Sequence, residues 1–190
     1  QCVSLSPITY GADVTSIQTS DKNYHFKNIV LCYSELNEYV NYRPYYGATI
    51  GRVAGRIDKG RFTLDGTHYQ LETNDKTNHS HGGINGLDTK IWTVETISSE
   101  DEAQLIFTYT SPHHENGYPG NLTVQVTYTL NESNKWKINY HATTDKTTLF
   151  NPTNHVYFNL SGDPTKGINQ HELTLTSSHF AELRVDSIPT

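Results

Sequence analysis

The sequence predicts an all-β protein built as a large antiparallel β-sandwich. Three observations carry this. Short segments of alternating apolar and polar residues recur along the chain with turn residues between them. The 190 residues include 13 Tyr and 6 Phe together with much Thr and Val, types that suit a pleated, half-buried surface. Helical periodicity is weak throughout, and only residues 34–39 read as a helical turn.

The elements follow in order. Residues 12–19 alternate in part, and residues 28–33 (Asn-Ile-Val-Leu-Cys-Tyr) form a short apolar run suited to a buried strand. Residues 61–64 and 67–71 flank Asp65-Gly66, a pair that tolerates the positive φ angles of a tight turn, so they predict a hairpin. Residues 105–110 read as a further strand. Residues 121–130 alternate most cleanly, with Leu122, Val124, Val126, Tyr128 and Leu130 on one face. Residues 136–142 follow after a polar turn. Residues 172–177 alternate again and predict Leu173 and Leu175 inward. No repeat, low-complexity tract or linker interrupts this order, so residues 1–190 read as a single domain. The chain then stops at residue 190 without a closing strand, which predicts a sheet edge in need of cover.

Composition narrows the function. Lys and Arg total 14 against 20 Asp and Glu, a formal net charge of −6, which argues against nucleic-acid binding because phosphate neutralisation needs clustered basic residues. No apolar run is long enough for a bilayer-spanning helix, and the first residues lack the basic and apolar regions of a secretory signal. Two cysteines, Cys2 and Cys32, are too few for a disulfide scaffold and read as reduced thiols of a cytoplasmic protein. Asn-x-Ser/Thr triplets at Asn78, Asn121, Asn131 and Asn159 are what a chain this rich in those residues produces by chance.

Three segments hold candidate chemistry. In the first, His79 and His81 would share one face of a strand, a spacing used by metal ligands. Glycines follow, however, and the next carboxylate is Asp88. In the second, His155 and Tyr157 share one strand face, Val156 and Phe158 the other. That leaves His155, Tyr157 and Asn159 for a polar pocket, and a histidine suits general acid work near neutral pH. A hydrogen-bonded histidine in a polar core layer would give the same pattern. The third, residues 47–57, places Arg52 and Arg56 among three glycines, suited to an oxygen-rich ligand or to a solvated rim. No Gly-Lys-Ser/Thr phosphate loop, Gly-x-Ser-x-Gly elbow or zinc-type cysteine cluster is present.

Taken in order, these stretches resemble the galactose mutarotase (aldose 1-epimerase) family. The match runs through Gly47-Ala48-Thr49-Ile50-Gly51-Arg52-Val53-Ala54-Gly55-Arg56-Ile57 and the hairpin residues Phe62, Leu64, Gly66, Tyr69 and Leu71. It continues through His81-Gly82-Gly83, Gly86-Leu87-Asp88 and Trp92, then Gly117-Tyr118-Pro119-Gly120-Asn121-Leu122, and finally residues 153–162 from Thr153-Asn154-His155 to Ser161-Gly162. The resemblance implies a mutarotase-like supersandwich that interconverts the α and β anomers of hexoses such as galactose and glucose, with no metal or cofactor. It implies His155 as general acid and His81 as the group that binds and polarises the sugar near the reacting centre. It implies Arg56, Tyr157 and Asn154 as substrate-binding residues. Gly55 stands where the family often has Asn, and Ser80 where it often has an apolar residue.

The family's general base, a glutamate near the C-terminus of a longer chain, has no counterpart in these residues. The resemblance therefore implies a chain truncated on its C-terminal side, whose base comes from a C-terminal segment or a second chain. Three other readings stand beside this one. A catalytically incomplete sandwich could bind sugar without turning it over. A metal-dependent enzyme could use His79 and His81. An isomerase of phosphorylated sugars could use the basic residues Arg52 to Arg61.

Overall fold

The computed structural model describes residues 3–190. Cys2 lies outside them. Cys32 is exposed with a free thiol.

The strands are β1 (Ser4–Pro7), β2 (Val14–Ser20), β3 (Phe26–Asn28), β4 (Thr49–Ile50), β5 (Arg56–Ile57), β6 (Arg61–Leu64), β7 (Thr67–Gln70), β8 (His79–Ser80), β9 (Thr93–Ser98), β10 (Glu102–Ser111), β11 (Leu122–Asn131), β12 (Trp136–Thr144) and β13 (Thr153–Asn154). Among the described residues one α-helix, α1 (Leu36–Tyr42), and three single-turn 3-10 segments interrupt them. β1, β2 and β3 form one antiparallel sheet, and β9 to β12 form a four-stranded meander in the order β12-β11-β10-β9. Short pairs join β13 to β4, β5 to β8 and β6 to β7.

The alternation of β11 explains how the layers meet. Leu122, Val124, Val126 and Tyr128 are buried on one face, as expected, although Leu130 at the strand end is only half-buried. They share a core with Phe107 of β10, Ala12, Val14 and Ile17 at and beside β2, and Leu87 and Trp92 from the intervening loops. Each such aliphatic side chain contributes roughly 1.5–3 kcal/mol on burial. From β12, Trp136, Ile138, Tyr140 and Ala142 pack against the same cluster at period 2. Two sheets closing on one apolar layer make an all-β antiparallel sandwich.

The hairpin expected around Asp65-Gly66 forms as β6 and β7, with both turn residues at positive φ. α1 starts directly after its N-cap Glu35, which forms a capping box with Glu38 inside the first turn, and it runs further than the single turn expected over residues 34–39. Two expected strands are absent. Residues 28–33 contribute only the end of β3 and an isolated bridge from Val30 to Phe158, because Asn28 turns its side chain back onto the Ile17 and Val30 amides. Residues 172–177 form no strand, and Leu173 and Leu175 are exposed rather than inward. Alternation specifies a strand only when a neighbouring strand supplies its hydrogen bonds, and among the described residues none lies beside that segment. β9, at one edge of the meander, is exposed along its whole length.

Candidate active site

The short β13–β4 and β5–β8 ladders bring the family motifs together. The β13–β4 pairing aligns Asn154 with Thr49, and beyond it the His155 N–H donates to Ala48 O at 2.8 Å. The Gly47 N–H in turn donates to His155 O at 3.2 Å. Both backbone polar groups of His155 are thus held by residues 47–48. Gly47 needs its glycine: it has a φ of +69°, and a Cβ there would lie 2.1 Å from Val14 O.

The β5–β8 ladder pairs Arg56 with Ser80. It stops after two residues because His81 enters the left-handed region, at φ +51°, followed by Gly82 and Gly83 at +85° and +99°. The turn closes so tightly that a Cβ on Gly82 would meet Gly51 O at 1.6 Å. This turn swings His81 off the face occupied by His79. His79 is buried, with one ring nitrogen 2.8 Å from Glu72 O and the other 2.8 Å from the Tyr118 hydroxyl. Both of its nitrogens are engaged within the fold, so the expectation that His79 and His81 share one face as a ligand pair is corrected. Among the described residues no group of three His, Cys, Asp or Glu side chains is arranged to hold a metal.

His81 instead meets His155. Their ring centroids lie 5.2 Å apart and their planes are perpendicular. Tyr45 completes a triangle, 5.2 Å from His81 and 5.6 Å from His155. Tyr157 lies 5.0 Å from His155, as expected for residues on one face, and Tyr46 stands edge-on to Tyr157 at 5.4 Å. The Gly55 N–H donates to His81 Nδ1 at 3.2 Å. Nδ1 is therefore an acceptor, and the neutral ring carries its proton on Nε2. Burial, with help from His155, Arg56 and Arg43, pushes the His81 pKa down to about 4, so the ring is neutral at physiological pH.

Arg56 is half-buried and ion-paired to Asp75, Nε to Oδ2 at 2.6 Å. Arg52 is not part of this surface. It is buried, and its guanidinium donates to Ser111, Pro112, Pro119, Gly120 and Thr148, stitching β10 to the loops around it. The amide of Asn154 also faces inward, with Nδ2 donating to Gly47 O at 2.8 Å. The structure thus brings His81, His155, Tyr157 and Arg56 to one region and turns Asn154 towards the loop beneath them. Asn159 is buried and holds the turn at residues 161–166.

Sequence reasoning missed Tyr45, Arg43 and Asp75 here. Tyr45-Tyr46 directly precedes Gly47, where the matched stretch begins, and that adjacency was the available signal. Nothing local pairs Arg43 with Asp88 or Arg56 with Asp75.

The class is thus an all-β sandwich protein that sets a histidine pair among tyrosine rings near an arginine–aspartate ion pair. The comparisons make this specific. The sequence profile of the aldose 1-epimerase family matches residues 2–190. Galactose mutarotase of Sus scrofa is 42% identical over 183 residues, covering 96% of this chain and 52% of its own. The Rattus norvegicus galactose mutarotase is 41% identical over 188 residues, covering 99% and 54%. The crystal structure of an aldose epimerase homologue from C. elegans superposes with a TM-score of 0.91 at 30% identity, covering 100% of this chain and 57% of that one. The chain belongs to the aldose 1-epimerase family. It spans about half the length of the curated relatives it matches.

Proposed function

We propose that this chain is the histidine-bearing part of an aldose 1-epimerase that interconverts the α and β anomers of hexoses such as galactose and glucose. The observation that carries the reading is the convergence of His81 and His155, from distant segments, at 5.2 Å. In this reading His155 is the general acid. It gives a proton to the ring oxygen while a base takes the proton of the anomeric hydroxyl. The bond from the anomeric carbon to the ring oxygen breaks and an aldehyde forms. Rotation of the carbonyl and closure by the reverse transfers yield the other anomer, with no net change of redox state or composition. Neutral His81, protonated on Nε2, donates to an oxygen at the reacting centre and costs no desolvated charge. Arg56, fixed by Asp75, and Tyr157 offer directional donors to sugar hydroxyls. Asn154 acts one step back, holding Gly47 and through it the His155 backbone.

The base in this reading is a glutamate supplied by a C-terminal segment or a second chain, which completes the mutarotase-like domain that residues 1–190 begin. A neutral hexose is the partner, with neither nucleic acid nor membrane involved, and the cytoplasm is the site of action. Among the described residues no helix is long and apolar enough to cross a membrane.

A second reading is sugar binding without turnover. It is favoured by the carboxylates linked to this wall, Asp75 and Asp88, being committed to Arg56 and Arg43. Polarimetry of fresh α-D-galactose decides between the two. A protein spanning the length of its relatives accelerates the decay if the epimerase reading holds. Saturable sugar binding by a folded, full-length protein that leaves the decay at its buffer rate overturns it in favour of binding.

A further inference from the structure

We propose that Arg43 is a positioning residue for the histidine pair, and that the Arg43–Asp88 clamp sets the place of His81 and Tyr45. The inference rests on the epimerase reading and adds to it a residue that the family motifs do not contain.

Arg43 ends α1 in the left-handed conformation, φ 45° and ψ 58°, with its N–H donating to Tyr39 O. Helices often end on a residue with positive φ, but glycine is the usual choice because a side chain is disfavoured there by about 1 kcal/mol. The arginine side chain has a structural use that glycine could not supply. It crosses from the helix end to the turn that starts at His81. Nε donates to Asp88 Oδ2 at 2.6 Å and Nη2 to Asp88 Oδ1 at 2.9 Å, a two-pronged ion pair with a carboxylate that is 3% exposed. Nη1 donates to Ile84 O at 2.6 Å, and Nη2 also to Gly83 O at 2.9 Å.

Those two carbonyls belong to the turn that His81, Gly82 and Gly83 enter in left-handed conformations. The guanidinium gathers the end of that turn. It also lies over the Tyr45 ring, 5.1 Å from its centroid, and Tyr45 is the ring 5.2 Å from His81. One planar cation thereby fixes both the backbone that presents His81 and the ring that packs beside it. A lysine has neither the planar fork nor the donors to hold Asp88 and two carbonyls at once.

Arg43 also acts on His81 electrically. The charged or titratable groups that bear on the His81 ring are His155, Arg56 and Arg43, which disfavour its protonation, and Asp75, which favours it. Removing the cation at residue 43 therefore raises the His81 titration midpoint.

The test uses full-length protein with two variants. Arg43→Lys keeps the charge and loses the fork. The pair Arg43→Met with Asp88→Asn removes the cation without leaving a buried carboxylate alone. Polarimetry gives kcat and KM for galactose, and NMR follows the His81 titration. Arg43→Lys is expected to lower kcat by roughly tenfold to a hundredfold with KM within about threefold, since small misplacements act on the chemical step. The double variant is expected to lower kcat similarly and to move the His81 midpoint upward. A purely structural role would lower stability while leaving kcat in the folded fraction and the midpoint unchanged, and that result overturns the proposal. If the parent protein does not turn galactose over, the epimerase reading fails, while an unmoved His81 midpoint in the double variant separately refutes the clamp.

Discussion

His81 and His155 stand edge to face, their planes at 90° and their centroids 5.2 Å apart, on segments held by two-residue ladders and the backbone hydrogen bonds that extend them. Such short ladders contribute few hydrogen bonds of their own. Their geometry is enforced by glycines that admit close backbone approach, above all Gly47 and Gly82. The pair is therefore built from backbone constraint, and the aromatic wall of Tyr45 and Tyr157 fixes its ring orientations.

His155→Ala in the full-length protein should reduce kcat for galactose by about 10² to 10⁴, the usual contribution of a general acid. Its backbone N–H and carbonyl would still bond Ala48 and Gly47, so the melting temperature should move little. Polarimetry beside a thermal melt checks both. Unchanged anomer interconversion would remove His155 from the acid role.

The depressed pKa of His81, about 4 against an ordinary 6.5, makes stability depend on pH. Between those values the unfolded chain holds a proton at this residue and the folded chain does not. Stability therefore falls as pH drops from about 6.5 towards 4, and His81 adds no slope above that window. His81→Asn should flatten the fall. Urea midpoints at pH 4.5 and pH 7 for parent and variant measure the difference, and equal slopes would contradict the assignment.

Arg52→Lys should cost about 3 kcal/mol or more, because it would strand buried carbonyls of residues 111, 119 and 120 and bury a charge with fewer partners. Urea unfolding reads this directly. A loss under about 1 kcal/mol would show that water replaces the guanidinium.

Gly55→Asn tests the departure from the family pattern. A Cβ on Gly55 meets nothing within 4 Å, and the φ of +74° is one that Asn tolerates better than most residues. The variant should keep stability within about 1 kcal/mol, the scale of a strained backbone position, and lower KM for galactose by adding a hydrogen bond to the sugar. An unchanged KM in a stable variant would show that this residue does not face the substrate.

The chain's sequence by itself determined the sheet content, the β6–β7 hairpin and the inward face of β11. Each is a local property: Asp65-Gly66 favours one turn, and period-2 alternation leaves one way to bury Leu122, Val124, Val126 and Tyr128. The order of the family motifs also marked His81, His155, Arg56 and Tyr157 as candidate site residues, which the fold brings to one region. The tertiary structure alone decided which of the similar-looking residues lie together. His79 and His81 look equivalent at a spacing of two, yet one left-handed residue sends His79 to Tyr118 and His81 to His155. Arg52 and Arg56 look equivalent at a spacing of four, yet one is buried among carbonyls and the other is held by Asp75 near the histidines. Leu173 and Leu175 alternate like core residues and lie exposed, for want of a neighbouring strand among the described residues. Periodicity records which face a residue prefers. Which partners wait there is a long-range property, set by backbone turns and cross-chain hydrogen bonds that no local pattern encodes.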